Sequence, residues 1–474
     1  MKTEKKSNLL LKQTVTSLLF VVLLSIQMFA QTTIPSDEEI KNILIERIDN
    51  DHVSIGMVVG IITPEGRRII SYGHLDNGDD KLVDGNTIFE IGSVTKVFTA
   101  LLLADMVEKH QVSLTDPATK FLPKDVVMPE RNGKQITLVD LATQTSGLPF
   151  WPTGIPANDS GVTMMAKYSA KDLYNFLSNY KLQDDIGTKW NYSNLGFGLL
   201  GHILSCCTGK NYEELIRTQI TTPLNMKSTF INLPPEKNLN ISIGHNAQLQ
   251  RTDYWRIPLL EGCGSIKSTA NDMLNFLEAF TGSRHTQLDS AMELMKTVRR
   301  PANQFTQALG WWLMFEIDDD CVITHPGATL GFSSAIAYDP KTHVGVVVLS
   351  NSTEGDVGSI AWHILRPGMW PWTTKATARK EISVDSKLLD QYVGEYIGAE
   401  GSKVFIKRVA GGIVIITPTT PVEGLNLSAE TDHDFFVKGI DIQVRFQLDD
   451  KGKVKGLVIH FAGNDYPASR RDPE

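Results

Sequence analysis

Apolar residues recur along this chain at two different spacings, and the changes of spacing divide it into segments. Residues 54–62 and 67–72 carry the short, β-branched runs of strands, and the middle of the chain then switches to helical intervals. There Val97, Leu101, Leu102 and Met106 follow Gly92 and Ser93 at spacings that put them on one helical face. Strand patterns return at 333–338 and at the valine-rich 344–349, with a helical stretch after them. The run Pro367-Gly368-Met369-Trp370-Pro371-Trp372 and the polar residues behind it break the pattern. Beyond lie short Val/Ile/Phe-rich strands at 403–407, 412–417, 435–438, 443–448 and 455–461. In one of them Val444, Phe446 and Leu448 alternate with Gln443, Arg445 and Gln447, the mark of a half-buried strand.

The first thirty residues stand apart. Lys2, Lys5, Lys6 and Lys12 precede the apolar stretch 18–26, and Met28-Phe29-Ala30 follows, the layout of a secretory leader cut after Ala30. An uncleaved anchor is the alternative, although the apolar run is short for a membrane span. The expected organisation is a leader at 1–30, a main domain at 31–372, a linker at 373–386 and a β-rich accessory domain at 387–474. The expected destination is the periplasm, reached by secretion across the inner membrane.

Composition narrows the function. The chain has 474 residues, 42% of them apolar and 21% charged, enough for two globular domains. Its formal charge is −8, and removing the +3 of the leader leaves −11, which argues against nucleic acid or an anionic membrane as a partner. Cys206, Cys207, Cys263 and Cys321 are too few for a disulfide scaffold in a chain this long, and the adjacent pair is expected to be buried thiols. The eleven His residues show no metal-ligand spacing, so no metal and no cofactor is implied. Gly196-Phe197-Gly198-Leu199-Leu200-Gly201 spells a dinucleotide-binding fingerprint but follows Asn191-Tyr192-Ser193-Asn194 instead of a buried strand. These glycines are expected to let a helix pack closely.

Three short motifs carry the chemistry. Ser93-Val94-Thr95-Lys96 puts a hydroxyl and an amine one helical turn apart at the start of a helix, where an amine can handle the hydroxyl proton and helix N–H groups favour an oxyanion. Tyr192-Ser193-Asn194 supplies a phenol, which works as a base near neutrality only beside a cation such as Lys96, and an amide able to contact a substrate carbonyl. His325-Pro326-Gly327 reads as a strand edge leading into a bend, with a glycine that lets substrate lie against the backbone.

Together and in this order, the motifs resemble those of the penicillin-recognising serine hydrolases: class C β-lactamases, DD-peptidases, and their D-aminopeptidase and esterase relatives. Two further stretches resemble the family, 136–149 (Ile-Thr-Leu-Val-Asp-Leu-Ala-Thr-Gln-Thr-Ser-Gly-Leu-Pro) and 264–273 (Gly-Ser-Ile-Lys-Ser-Thr-Ala-Asn-Asp-Met). The resemblance implies an α/β (α+β) β-lactamase/transpeptidase-like fold, an antiparallel sheet flanked by helices, in which the first and last strands of the main domain share one sheet. The C-terminal strands resemble a small lipocalin-like, barrel-like all-β domain. The implied catalytic residues are Ser93, Lys96 and Tyr192; the implied substrate-binding residues are Asn194, His325, Gly327 and Ala328, with the amides of Ser93 and Ala328 as oxyanion donors. Implied substrates are β-lactams or related amides, with D-alanyl peptides, D-amino-acid peptides and esters as alternatives. A penicillin-binding protein without turnover is a further alternative, and association with peptidoglycan is implied. Many β-lactamases have Lys where this chain has His325, so the expectation here is an imidazole that holds a substrate carboxylate when protonated.

Overall fold

The computed structural model describes residues 34–153, 155, 164–235, 239–302, 305–317, 320–368, 370, 372, 381–398, 403–409, 411–417, 424–437, 442–461 and 464–471. The leader and linker residues 373–380 lie outside them. After α1 (Asp37–Ile45) come β1 (Gly56–Thr63) and β2 (Gly66–Gly73). Helices α2 (Thr95–Glu108), α3 (Leu138–Ala142), α4 (Ala170–Asn179), α5 (Asn194–Thr208), α6 (Ala270–Phe280) and α7 (Asp289–Thr297) fill the middle. The chain then returns as β3 (Arg300–Pro301), β4 (Thr306–Gln307), β5 (Trp312–Ile317), β6 (Asp320–Ala328), β7 (Ser333–Asp339) and β8 (Val344–Ser350), followed by α8 (Val357–Leu365).

These strands form one antiparallel sheet in the order β2-β1-β8-β7-β6-β5-β4-β3, so the first strands do pair with the last. The reason is visible in β1, which is buried on both faces and needs a partner on each edge: β2 on one, β8 on the other. Its side chains alternate between two cores, as the two-residue strand period requires. Val58 and Ile62 join the large core with the middle helices, whereas Met57, Val59 and Ile61 join a smaller one with α1 and α8. β8 divides likewise, Val347 and Leu349 against Val344, Val346 and Val348.

α2 is apolar on all sides, and residues 95–106 are buried without exception, as befits a helix at the centre of a domain. α5 packs so closely on the following segment that a Cβ on Gly198 would lie 2.5 Å from the Leu260 Cβ, and one on Gly201 3.0 Å from the Gly262 Cα. The Gly-x-Gly-x-x-Gly spacing therefore serves helix packing. Cys263 and Cys321 are buried, but Cys206 is exposed and Cys207 only half-buried, against expectation. α5 ends at the left-handed cap Gly209, and its last turn lies at the surface.

After α9 (Ser386–Tyr392) the chain forms a closed eight-stranded antiparallel barrel: β9 (Gly394–Ile397), β10 (Lys403–Val409), β11 (Gly412–Ile416), β12 (Leu425–Ala429), β13 (Asp434–Phe436), β14 (Ile442–Leu448), β15 (Val454–Phe461) and β16 (Asn464–Arg470). Three of these strands, β9, β12 and β16, were not legible in the residue pattern. The interior is filled by its own side chains, with Tyr392 and Phe446 stacked at 3.9 Å between ring centroids and Phe435 edge-on to both. Closure leaves no strand edge to be completed. A chain ending at Trp372 keeps the contacts of that residue, whose ring stacks on Arg47 and whose Nε1 donates to Glu46. Such a chain is expected to fold and to retain covalent labelling at Ser93 by a fluorophosphonate. Loss of labelling in a truncated chain with native circular dichroism would mean that the barrel completes the site.

Candidate active site

A single 3₁₀ turn, Gly92–Val94, leads into α2 and holds Ser93 at the helix N-terminus, where peptide dipoles favour negative charge. Lys96, one turn further on, is fully buried. Its Nζ donates to Ser93 Oγ at 3.0 Å, to Asn194 Oδ1 at 2.7 Å and to the Cys263 carbonyl at 2.7 Å. Burial pulls its pKa down to about 8, an effect that the Cys263 side chain partly opposes. The amide oxygen and the carbonyl can only accept, so two N–H bonds of Lys96 are committed to them in either protonation state. The remaining position points at Ser93: an N–H when the amine is charged, a lone pair when it is neutral.

Asn194 begins α5, and Ser193 caps that helix by accepting from the Gly196 amide at 2.8 Å. The 136–149 segment holds this turn in place. Ser193 Oγ donates to the Pro149 carbonyl, and Gln144 Oε1 accepts from the Ser193 amide. Between them Tyr192 is half-buried, with the Lys96 Nζ 4.8 Å from its ring centroid.

The third motif sits at an exposed edge of the sheet. The last rung between β5 and β6 is Trp312 opposite Thr324, so from His325 onward β6 has no strand on that side among the described residues. The Thr329 amide donates to the Phe332 carbonyl, and bonded and non-bonded pairs alternate in an antiparallel ladder. The pairs Ala328–Ser333 and Pro326–Ala335 are therefore non-bonded, and the nitrogens of Pro326 and Ala328 point away from β7 to the open edge. Proline is tolerated here because no neighbour needs its hydrogen. The segment before Ser93 lies against this edge: a Cβ on Gly92, which has φ +48°, would come within 2.7 Å of the Ala328 nitrogen. A Cβ on Gly327 would come within 2.1 Å of the Ile91 carbonyl, which accepts from Ser334 Oγ.

His325 is buried, and its pKa falls to about 3 through burial and the nearby Lys96 charge, the Pro326 carbonyl opposing. Its Nδ1 lies 2.6 Å from that carbonyl and must carry the proton, leaving Nε2 an acceptor. This corrects the expectation of an imidazole that captures a carboxylate by becoming charged: burial and the Lys96 charge both disfavour the proton, and among the described residues the ring takes part in no ion pair.

The structure thus brings Ser93, Lys96, Tyr192, Asn194, His325, Gly327 and Ala328 into one place. Sequence reasoning missed several residues that hold them. Thr95 Oγ1 accepts from the Ile266 amide, and the Ile266 carbonyl accepts from Ile91, tying 264–273 to the nucleophile turn. Glu90 and Lys267 pair across this bridge in a buried setting that raises the pKa of Glu90. The signal for these was the motif-like 136–149 and 264–273 themselves, whose roles only contacts reveal. Among the described residues, no group of three or more His, Cys, Asp and Glu side chains is placed to hold a metal.

This architecture is that of a class C β-lactamase. One solved structure so described overlaps 69% of this chain and 96% of its own length, with a TM-score of 0.61 and 23% identity. The class C enzyme of Rhodobacter sphaeroides overlaps 70% and 99%, with a TM-score of 0.61 and 25% identity. The chain belongs to the Beta-lactamase family, whose model matches residues 42–367. It is a serine hydrolase of the class C β-lactamase-like kind. Residues 378–470 match a domain of unknown function (DUF3471). Among curated proteins, the D-alanyl-D-alanine-carboxypeptidase/endopeptidase AmpH of Escherichia coli K12 is 28% identical over 63% of this chain and 81% of its own. The Beta-lactamase of the same organism is 27% identical over 65% and 88%. Penicillin-binding protein 4* of Bacillus subtilis is 23% identical over 90% and 97%.

Gly92→Ala forces a Cβ into the left-handed region and against the Ala328 backbone. The variant is expected to lose about 1–3 kcal/mol of stability in denaturant unfolding and to lose activity as the two amides separate.

Proposed function

We propose that the enzyme hydrolyses β-lactam or related amide bonds through an acyl-enzyme on Ser93. The observation that carries this is the Lys96 environment, a buried amine with two positions committed to acceptors and the third aimed at the Ser93 hydroxyl. Neutral Lys96 takes the proton as Ser93 Oγ bonds to the substrate carbonyl carbon, and the carbonyl π pair moves to oxygen. The amides of Ser93 and Ala328, at the helix start and the open strand edge, receive that oxyanion. Collapse re-forms the carbonyl and expels the leaving nitrogen, which takes the proton back through Lys96 and the neighbouring Tyr192. Water then repeats the sequence on the ester, and Ser93 recovers its hydrogen. Asn194 orients both Lys96 and the substrate amide, and the Gly327 backbone borders the bound substrate.

D-alanyl-D-alanine carboxypeptidase activity is the second reading, supported by the names of AmpH and of penicillin-binding protein 4*. With it come secretion to the periplasm, association with peptidoglycan and, for the first reading, a part in antibiotic resistance. These rest on the leader pattern and on those relatives. A panel of nitrocefin, a D-Ala-D-Ala peptide, a D-amino-acid amide and a p-nitrophenyl ester separates the readings. A stoichiometric burst without turnover would instead indicate a penicillin-binding protein.

Ser93→Ala is expected to abolish labelling by a β-lactam or fluorophosphonate, and retained activity would refute the assignment. Lys96→Ala is expected to lower kcat/KM about a thousandfold or more, and Tyr192→Phe by roughly two to four orders of magnitude, in stopped-flow acylation. Because the base works unprotonated and its pKa is about 8, kcat/KM for a neutral substrate is expected to rise with pH up to about 8 and to level off above it. A profile flat from pH 6 to 9 would remove Lys96 from the base role.

A further inference from the structure

An unbroken series of aromatic rings runs past Tyr192 to His325. Trp255 meets Trp151 at 5.9 Å between centroids, Trp151 meets Phe150 at 5.7 Å, and Phe150 meets Tyr192 at 5.9 Å. Tyr192 meets Trp312 at 6.3 Å, and Trp312 meets His325 at 5.1 Å. The belt begins beside the Lys96 acceptor Cys263, since a Cβ on Gly264 would come within 2.4 Å of the Trp255 ring. It ends at the third motif. None of its five members other than His325 is fully buried, and Phe150 is 50% exposed. Large apolar rings left open to solvent around a reaction centre cost hydration free energy that a bound apolar group recovers.

Three basic side chains described at the site point the same way. Lys96 spends its hydrogens on protein oxygens and on Ser93. Lys267 is paired with Glu90, and His325, with its hydrogen on the Pro326 carbonyl, presents a lone pair. A carboxylate next to that lone pair would be repelled, whereas an aryl or alkyl group, or an N–H donor, fits beside it.

We infer that the cleft selects neutral acyl donors bearing an aromatic or comparably large apolar group, uncharged amides and esters, over donors with a carboxylate near the scissile bond. This rests on the Ser93 acyl-enzyme chemistry alone, and within it favours uncharged amides and esters over β-lactams and D-alanyl-D-alanine peptides, both of which carry a carboxylate near the scissile bond. The test uses the full chain and four esters that combine two acyl groups, phenylacetylglycyl and acetylglycyl, with two leaving groups of similar basicity, phenol and 3-hydroxybenzoate. The phenylacetyl esters are expected to exceed the acetyl esters in kcat/KM by about tenfold or more, and the phenyl esters to match or exceed their carboxylate counterparts. Phe150→Ala, at an exposed ring, and Trp312→Ala are each expected to shrink the acyl preference by about threefold or more, and Trp312→Phe to keep it. A preference of about tenfold or more for the 3-carboxyphenyl esters, or an acyl preference that Phe150→Ala and Trp312→Ala leave unchanged, overturns the inference while Ser93 labelling stands. Failure of a fluorophosphonate to label Ser93 overturns the acyl-enzyme reading and the inference with it.

Discussion

A buried ammonium has no water to turn to and must find its partners in the protein, and Lys96 finds three oxygens from three separate parts of the chain. Ser93 comes from the turn before α2, Asn194 from the start of α5, and the Cys263 carbonyl from the segment ahead of α6. Each contact holds one wall of the cleft. Desolvation also lowers the lysine pKa to about 8, so the group that organises the walls is the group able to exchange a proton near neutrality. Structure and reactivity share one cause here.

The opposite wall depends on the sheet running out of partners. β6 continues past the end of β5, and its open edge carries a proline, a glycine and then the Ala328 amide. Proline gives up a hydrogen that no strand was placed to accept. Gly327 and Gly92 bring the Ile91–Ser93 backbone into contact with that edge, a distance that any side chain would prevent. The spacing between the two amides thus follows from two missing Cβ atoms and one missing ladder rung.

One residue bears most on which substrate of the family this site takes. Similarity to proteins named for β-lactams and D-alanyl peptides covers most of the Beta-lactamase region, yet the imidazole at 325 is buried, uncharged and hydrogen-bonded to its own neighbour's carbonyl. The ring of Trp312 stands beside it and that of Tyr192 beside Trp312, and the nearby ammonium of Lys96 is taken up by Ser93, Asn194 and the Cys263 carbonyl. The C-terminal barrel has its own filled core and contributes no residue to the contacts described around Ser93.

By itself the sequence determined the local elements: the nucleophile at a helix start with an amine one turn later, the first two and last two strands of the central sheet, and the β-rich nature of the C-terminal region; the strands at 300–301, 306–307 and 312–317 were not legible in it. The legible elements are encoded in spacings of a few residues, and such spacings can be read without a partner. Barrel strands with a weak pattern, such as 464–470 with its proline, escaped because closure by neighbours, not local alternation, makes them strands. The protonation state of His325, the exposure of Cys206, the roles of Gln144, Thr95 and Glu90, and the aromatic belt were decided only by the tertiary structure. Each depends on what lies within a few ångströms across stretches of tens to hundreds of residues. Burial and the Lys96 charge set the imidazole, and no window of sequence around His325 contains either.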